Sequence, residues 1–280
     1  MVVYAAARSL SVRKQTELKL DLSFLAKDML RSFQLHHLNI AAEIASIEEI
    51  ARVRHSSKFK IIEKFKRDIR KKFGLSVPYI YQEPVCQCDD NFWALPDDVY
   101  VSGNFISIRY FKEIAPILRN DFSVISPLSS QTTELCRRIA DCNSVSIHVR
   151  RGDYASNPHT KAFHGLLGVD YYARAIKQIE ARVAHPVFFF FSDDIAWVKE
   201  NITTVGDIVW VDHVGQENAY EDMHMMKLCK HNILANSGFS YWPAWLNENV
   251  DKIVIAPQLW CADAKFNALF DLIPEEWCRL

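Results

Sequence analysis

In the C-terminal half of the chain the apolar positions form short β-rich runs separated by stretches with helical periodicity. The runs at 144–149, 187–191, 208–211, 232–235 and 252–256 read as strands, and 170–183, 195–200, 217–229 and 239–247 read as the helices between them. Such alternation predicts an α/β domain with a mostly parallel sheet. The run Val187-Phe188-Phe189-Phe190-Phe191 is apolar on both faces, as a central strand covered by helices on each side requires.

The N-terminal half is less regular. It predicts helices near 4–13, 42–54 and 58–73, a strand over Thr16–Asp21, and polar or Pro-containing segments over 82–98. Residues 52–72 are rich in Lys and Arg, but Ile61, Phe65 and Ile69 recur every four residues, which reads as an amphipathic helix with a solvated basic face rather than a membrane or RNA patch. Between Asp121 and Ser144, Pro127-Leu128-Ser129-Ser130-Gln131 breaks the pattern ahead of a helix capped near Ser130. The expected domains are therefore 1–125 and 126–280.

Composition narrows the function classes. The 280 residues are 49% hydrophobic and 24% charged with a formal net charge of -1, so a folded chain is expected and no global field gathers nucleic acid. Any anion must be held by a local cluster of donors. Seven cysteines, at 86, 88, 136, 142, 229, 261 and 278, are an odd number in a chain too large to need disulfide staples, and they fit a reducing cytosol. Cys86-Gln87-Cys88 lacks a second pair at ligand spacing and reads as two small thiols, with no metal assigned. No apolar run approaches the ~20 residues needed to span a bilayer, and the first residues lack a signal-peptide pattern. The expected location is cytoplasmic, peripheral to the inner membrane where the acceptor is membrane-linked.

In open parallel sheets ligands bind beyond the carboxyl ends of the strands, where helix N-termini and loop backbone converge. Here those ends carry Arg150-Arg151-Gly152-Asp153, Ser192-Asp193-Asp194, Asp212-His213 and Asn236-Ser237-Gly238. Period-two alternation in Ser146-Ile147-His148-Val149-Arg150 puts His148 and Arg150 on one side of the strand. An arginine emerging beside a glycine turn offers a planar fork of donors suited to a diphosphate, with Asp153 placed to hold it. A structural Arg-Asp pair is the simpler alternative. Ser192-Asp193-Asp194 reads either as a helix N-cap or as a carboxylate for a guanine edge or ribose hydroxyl, and it does not make a metal site by itself. Asn236-Ser237-Gly238-Phe239-Ser240 opens a helix whose free N–H groups can receive phosphate oxygens. Trp242 and Trp245, at helical spacing, read as core or rim packing.

The run His148 to Tyr154, the block Phe191-Ser192-Asp193-Asp194, and the segment Ala235 to Leu246 (ANSGFSYWPAWL) resemble the α-1,2-fucosyltransferases of bacterial and animal type, glycosyltransferase family 11. Phe163-His164-Gly165, Asp170-Tyr171-Tyr172, Val99 to Asn104, Tyr110-Phe111 and Leu18 to Asp21 fit the same pattern, so the resemblance spans nearly the whole chain. The arginine motif is similar to that of α-1,6- and protein O-fucosyltransferases as well, and so points to the donor more than to the linkage.

What the resemblance implies is an α/β fold of GT-B type with two Rossmann-like domains. It further implies GDP-fucose as donor, a β-galactoside-containing glycan as acceptor, inversion at the anomeric carbon, and no cofactor or metal. Carried over by position, His148 and Arg150 face the diphosphate, Asp222 the guanine, and Ser237 with the Gly238 and Phe239 amides the phosphates, with Asp193, Asp194 and Asn236 among the donor-binding residues. Arg150 and Arg151 would stabilise the leaving group, and Asp153, His164 and Glu217 are the candidate bases. The family pattern has serine where Gly238 stands, tryptophan where Tyr241 stands, and a strand with a Gly-rich loop ahead of a segment like Tyr4-Ala5-Ala6-Ala7. Met1 falls inside what reads as the first helix, so an incomplete N-terminal domain is expected, and the rival expectation is a catalytically impaired GDP- or glycan-binding relative. A carboxylate-pair hydrolase finds no two acids that stand out at suitable separation.

Overall fold

The computed structural model describes residues 1–27, 32–55, 79–84 and 88–280. The basic helix expected over 58–73, and Cys86 of the Cys-Gln-Cys run, lie outside the described residues. The chain divides into two compact units, Met1–Ser123 with Phe270–Leu272, and Val124–Leu269 with Ile273–Leu280. The return of three C-terminal residues to the first unit carries no mark in the sequence. It is anchored where Ser107 Oγ donates to Asp271 at 2.8 Å.

The first unit opens with α1 (Val2–Lys14), whose Tyr4, Ala5, Ala6 and Leu10 are buried. Tyr4 donates to the buried carboxylate of Asp121 at 2.6 Å and Arg8 pairs with the same group at 2.9 Å, fixing α1 against α3 (Ala115–Asp121). Two short parallel pairs follow: β1 (Lys19–Leu20) with β2 (Glu43–Ile44), and β3 (Tyr79–Gln82) with β4 (Val99–Ser102). The strand expected over 16–21 shrinks to two residues. The helix expected over 42–54 becomes α2 (Ile47–His55), with β2 taking its first turn.

The second unit is built as the apolar runs require. Strands β5 (Asn143–Val149), β6 (Pro186–Ser192), β7 (Asp207–Val211), β8 (His231–Ile233), β9 (Val254–Ala256) and β10 (Cys278–Arg279) form one parallel sheet in the order β10-β9-β8-β5-β6-β7. Alternation along β5 and β6 sends Val145, Ile147, Val149, Phe188 and Phe190 to one core and Phe189 and Phe191 to the other. The first core is covered by α7 (Val169–Glu180) and α8 (Ile195–Asn201), the second by α4 (Ser130–Asp141) and α9 (Ala219–Leu228). Each fully buried phenylalanine contributes about 2 kcal/mol. The α/β class expected from the sequence is met.

The strand order fixes where a ligand belongs. From β5 the chain winds outward through β6 and β7, then returns to the other side of β5 as β8 and winds outward again. The carboxyl ends of β5 and β8 thus flank the point where the winding reverses, the crevice in which open α/β sheets hold ligands. Among the described residues no helix is long and apolar enough to cross a membrane.

Candidate functional site

Two segments meet at that crevice: Arg150-Arg151 leaving β5, with the one-turn helix α5 (Gly152–Ser156) after it, and Asn236-Ser237 leaving β8 ahead of α10 (Gly238–Leu246). Arg150 is one-third exposed, and its guanidinium pairs with Asp153 Oδ1 at 2.5 Å and Asp193 Oδ2 at 2.8 Å. Its Cζ lies 5.4 Å from the centre of the Tyr154 ring. A guanidinium has five N–H donors, so two carboxylate contacts fix its plane and leave three hydrogens without a partner among the described residues.

Arg151, expected beside Arg150 at the diphosphate, is engaged elsewhere. Its side chain stacks over Trp197 at 3.8 Å, pairs with Asp194 at 3.2 Å and is 16% exposed. Its main-chain N–H donates to Asp193 Oδ1 at 2.8 Å. Of the two adjacent acids, one takes the expected N-cap and the other an ion pair that neither reading named. Asp194 is the N-cap of α8, accepting from the Trp197 amide, while Asp193 reaches across to Arg150.

His148 lies on the Arg150 side of β5, as alternation requires, but it is buried against Phe239 with ring centres 5.4 Å apart. Burial, and after it the charge of Arg150, pushes its pKa down to about 3, so the ring is neutral at physiological pH. A neutral imidazole brings no positive charge to the crevice.

Ser237 caps α10 by accepting from the Phe239 amide at 3.3 Å. The Phe239 amide, expected to face phosphate, is thereby satisfied locally, and its side chain packs with the second core. Gly238 stands at the first position of α10 with nothing within 4 Å of where a Cβ would be, so the glycine is not imposed by sterics. Asn236, expected to touch the ligand, is 3% exposed and gives its side-chain amide hydrogens to the carbonyls of His164 at 2.8 Å and Trp260 at 3.2 Å. It is a strut that ties two loops to the end of β8.

His164 ends α6 (Pro158–His164) and stacks on Tyr154, 4.6 Å between centres and 8° between planes. Tyr154, Trp197 and Trp260 are thus the site residues that the sequence did not single out. The only signal for Tyr154 was its place at the end of the arginine run. Glu217 lies exposed in the short turn Gln216–Asn218 before α9.

Asp222 sits in the first turn of α9 with its Oδ1 buried and unpartnered among the described residues. Burial, then the neighbouring Glu221 charge, raises its pKa to about 7. Glu221 itself is buried but well provided for: it accepts from the Ser129 amide at 3.2 Å, from the Ser129 hydroxyl at 2.7 Å and from Thr132. These bonds outweigh burial and hold its pKa below the usual glutamate value. It forms the floor of an open polar bowl of about 200 Å³ rimmed by Ser130, Gln131 and Asn218.

A family model described as glycosyl transferase family 11 matches residues 28–280. An O-antigen biosynthesis glycosyltransferase, WbnK, of Escherichia coli is 31% identical over 302 residues, covering 100% of this chain and 96% of that protein. An α-1,2-colitosyltransferase of Escherichia coli is 33% identical over 285 residues, covering 100% of this chain and 94% of that protein. A galactoside α-(1,2)-fucosyltransferase 2 of Mus musculus is 24% identical over 227 residues, covering 74% of this chain and 65% of that protein.

Proposed function

Since the chain belongs to glycosyltransferase family 11 and is a glycosyltransferase, we propose that it moves fucose from GDP-fucose to a galactoside hydroxyl in α-1,2 linkage, with inversion and without a metal ion. The observation that carries the reading is Arg150 at the reversal point of the sheet, clamped by Asp153 and Asp193 with hydrogens left over, beside Tyr154, whose hydroxyl donates to the Asn236 carbonyl ahead of α10 at 3.3 Å.

The chemistry is a single displacement. The acceptor oxygen bonds to the anomeric carbon as the bond from that carbon to the β-phosphate oxygen breaks, the acceptor proton passes to a base, and GDP leaves carrying the new negative charge. The three remaining Arg150 donors and the Gly238 amide meet that charge where it grows, and a neutral His148 adds a hydrogen bond. Arg151 and Asp194 act by holding the turn. Asp153 is tied to Arg150, and Glu217 lies on an exposed turn after β7, which leaves His164 as the proposed base. Asp222, half-buried with an Oδ1 that has no partner among the described residues, is the proposed partner of the guanine N–H edge.

Similarity to a colitosyltransferase along the whole chain supports a second reading, in which the transferred sugar is colitose, the 3-deoxy form of fucose. Incubating the protein with GDP-fucose or GDP-colitose and a β-galactoside acceptor, with and without EDTA, tests both. Product from GDP-fucose that survives chelation is expected. Product from GDP-colitose alone favours the second reading, and GDP binding without transfer from either donor marks an impaired relative.

A further inference from the structure

An unbroken series of ring contacts leads from the phosphate-binding arginine to the protein surface. Arg150 lies over Tyr154; Tyr154 stacks on His164 at 4.6 Å; His164 meets the edge of Phe163 at 4.9 Å and 90°; Phe163 meets Phe266 at 5.2 Å and 66°. Phe163 is the member that opens to solvent, 40% exposed.

A single exposed phenylalanine needs no explanation in general. This one is held from several sides. Its carbonyl accepts from the Ala262 amide at 2.9 Å, and the Asn236 strut fixes the next carbonyl in the chain, that of His164. Gly165 follows with φ +74°, a conformation that turns the chain back against Ala262, whose Cβ is 3.6 Å from where a Cβ on Gly165 would stand. The ring is thus a fixed apolar surface, and its backbone is tied to the same strand end that supports the phosphate site.

The transferred hexose is bonded to the β-phosphate, so a donor anchored at Arg150 keeps its sugar within a few bonds of that guanidinium, and the ring series from Tyr154 to Phe163 is an aromatic surface that begins there. We infer that Phe163 is the platform on which the deoxygenated C6 methyl side of the donor sugar packs, making it a specificity residue for 6-deoxyhexoses; this rests on the reading of the chain as a GDP-deoxysugar transferase. The chemistry fits because a methyl and the adjoining ring C–H groups lose nothing against an aromatic face, whereas a 6-hydroxyl placed there gives up its water without gaining a partner. An apolar surface rejects an added hydroxyl only modestly, by up to about a hundredfold.

The test compares GDP-fucose with GDP-L-galactose, which differs from it only by the 6-hydroxyl, in the wild type, Phe163→Ser and Phe163→Tyr. Relative kcat/KM for the two donors and the Kd of GDP by calorimetry are measured in each. The wild type is expected to favour GDP-fucose about tenfold, Phe163→Ser to bring the ratio close to one with the GDP Kd unchanged, and Phe163→Tyr to keep the preference. A ratio that stays put in Phe163→Ser while GDP still binds overturns the inference, as does a change confined to the acceptor KM, which would make Phe163 an acceptor platform. Should Phe163→Ser lose GDP binding, a wild-type ratio in Phe163→Tyr still supports the inference and a collapsed ratio overturns it. Failure of the wild type to transfer from either donor or to bind GDP overturns the functional reading itself, and the inference with it.

Discussion

Asp193 and Arg150 leave neighbouring parallel strands at the same level and meet there at 2.8 Å. The β5–β6 register pairs Val149 with Ser192, so the next residue on each strand is the arginine and the carboxylate. The second oxygen of Asp193 holds the Arg151 amide, so one side chain sets both the guanidinium and the backbone turn that delivers it. Gly152 completes the arrangement, because a Cβ there would stand 2.5 Å from Asp193 Oδ2.

Gly152→Ala should therefore displace Asp193 and misalign Arg150. GDP binding is expected to weaken on the order of tenfold, with the cost falling sharply when Asp193→Ala is already present, a coupling of about 1 kcal/mol between adjoining sites. Calorimetry on the two single variants and the double variant reads this directly; additive losses would mean that the glycine and the carboxylate act separately.

Arg150→Ala should lower kcat/KM by on the order of 2–4 kcal/mol, because it removes charge stabilisation that grows as GDP leaves. Arg150→Lys should recover little. An ammonium cannot satisfy Asp153, Asp193 and a phosphate in one plane as the guanidinium fork does. Near-normal transfer by the lysine variant, assayed with GDP-fucose and a β-galactoside, would defeat the assignment.

Much of this site was legible as a rim of polar strand ends, because β5 to β8 carry apolar runs that stop abruptly at Arg150, Ser192, Asp212 and Asn236. What each group does there was not. The pairing of Asp193 with Arg150 depends on strand register, and the stack of Arg151 on Trp197 joins side chains 46 positions apart with no periodicity to announce it. The family resemblance puts Asn236 among the donor-binding residues, yet the carbonyls of His164 and Trp260 take its side-chain hydrogens, and partners so distant along the chain leave no sequence signal. In the first unit, Tyr79–Gln82 gave no strand signal since four residues are too few to show alternation, and the pairing with Val99–Ser102 is what orders them.

Gly238→Ser is expected to be accepted without loss of stability, since no atom lies within 4 Å of the position a Cβ would take and the first turn of a helix tolerates serine. Its hydroxyl would sit beside the amide proposed to face phosphate and should tighten GDP severalfold. Thermal unfolding and GDP titration of the variant check both parts; a drop in melting temperature of several degrees would show that the helix start is more crowded than its geometry indicates.

Two groups drawn out of water, the buried His148 and the half-buried Asp222, should make stability depend on pH in opposite senses. His148, held near a pKa of about 3 against its usual 6.5, stays neutral in the folded state while the unfolded chain takes up a proton; its contribution is present above pH 6.5 and is lost as pH falls toward 3. Asp222, raised from 3.8 to about 7, keeps its proton when folded while the unfolded chain gives it up; its contribution is present below pH 3.8 and is lost as pH rises through 7. Each has a limiting slope of about 1.4 kcal/mol per pH unit, so between pH 4 and 6.5 their effects oppose and the wild type should vary little on their account. Each single substitution should unmask the other group. Asp222→Asn leaves the His148 term, and stability should fall as the medium is acidified from 6.5 to 4; His148→Gln leaves the Asp222 term, and stability should rise over the same change. Urea unfolding of the three proteins at pH 4, 5, 6 and 7 without ligand reads the slopes. Parallel profiles for the two variants would show that neither group is drawn out of water as this arrangement requires.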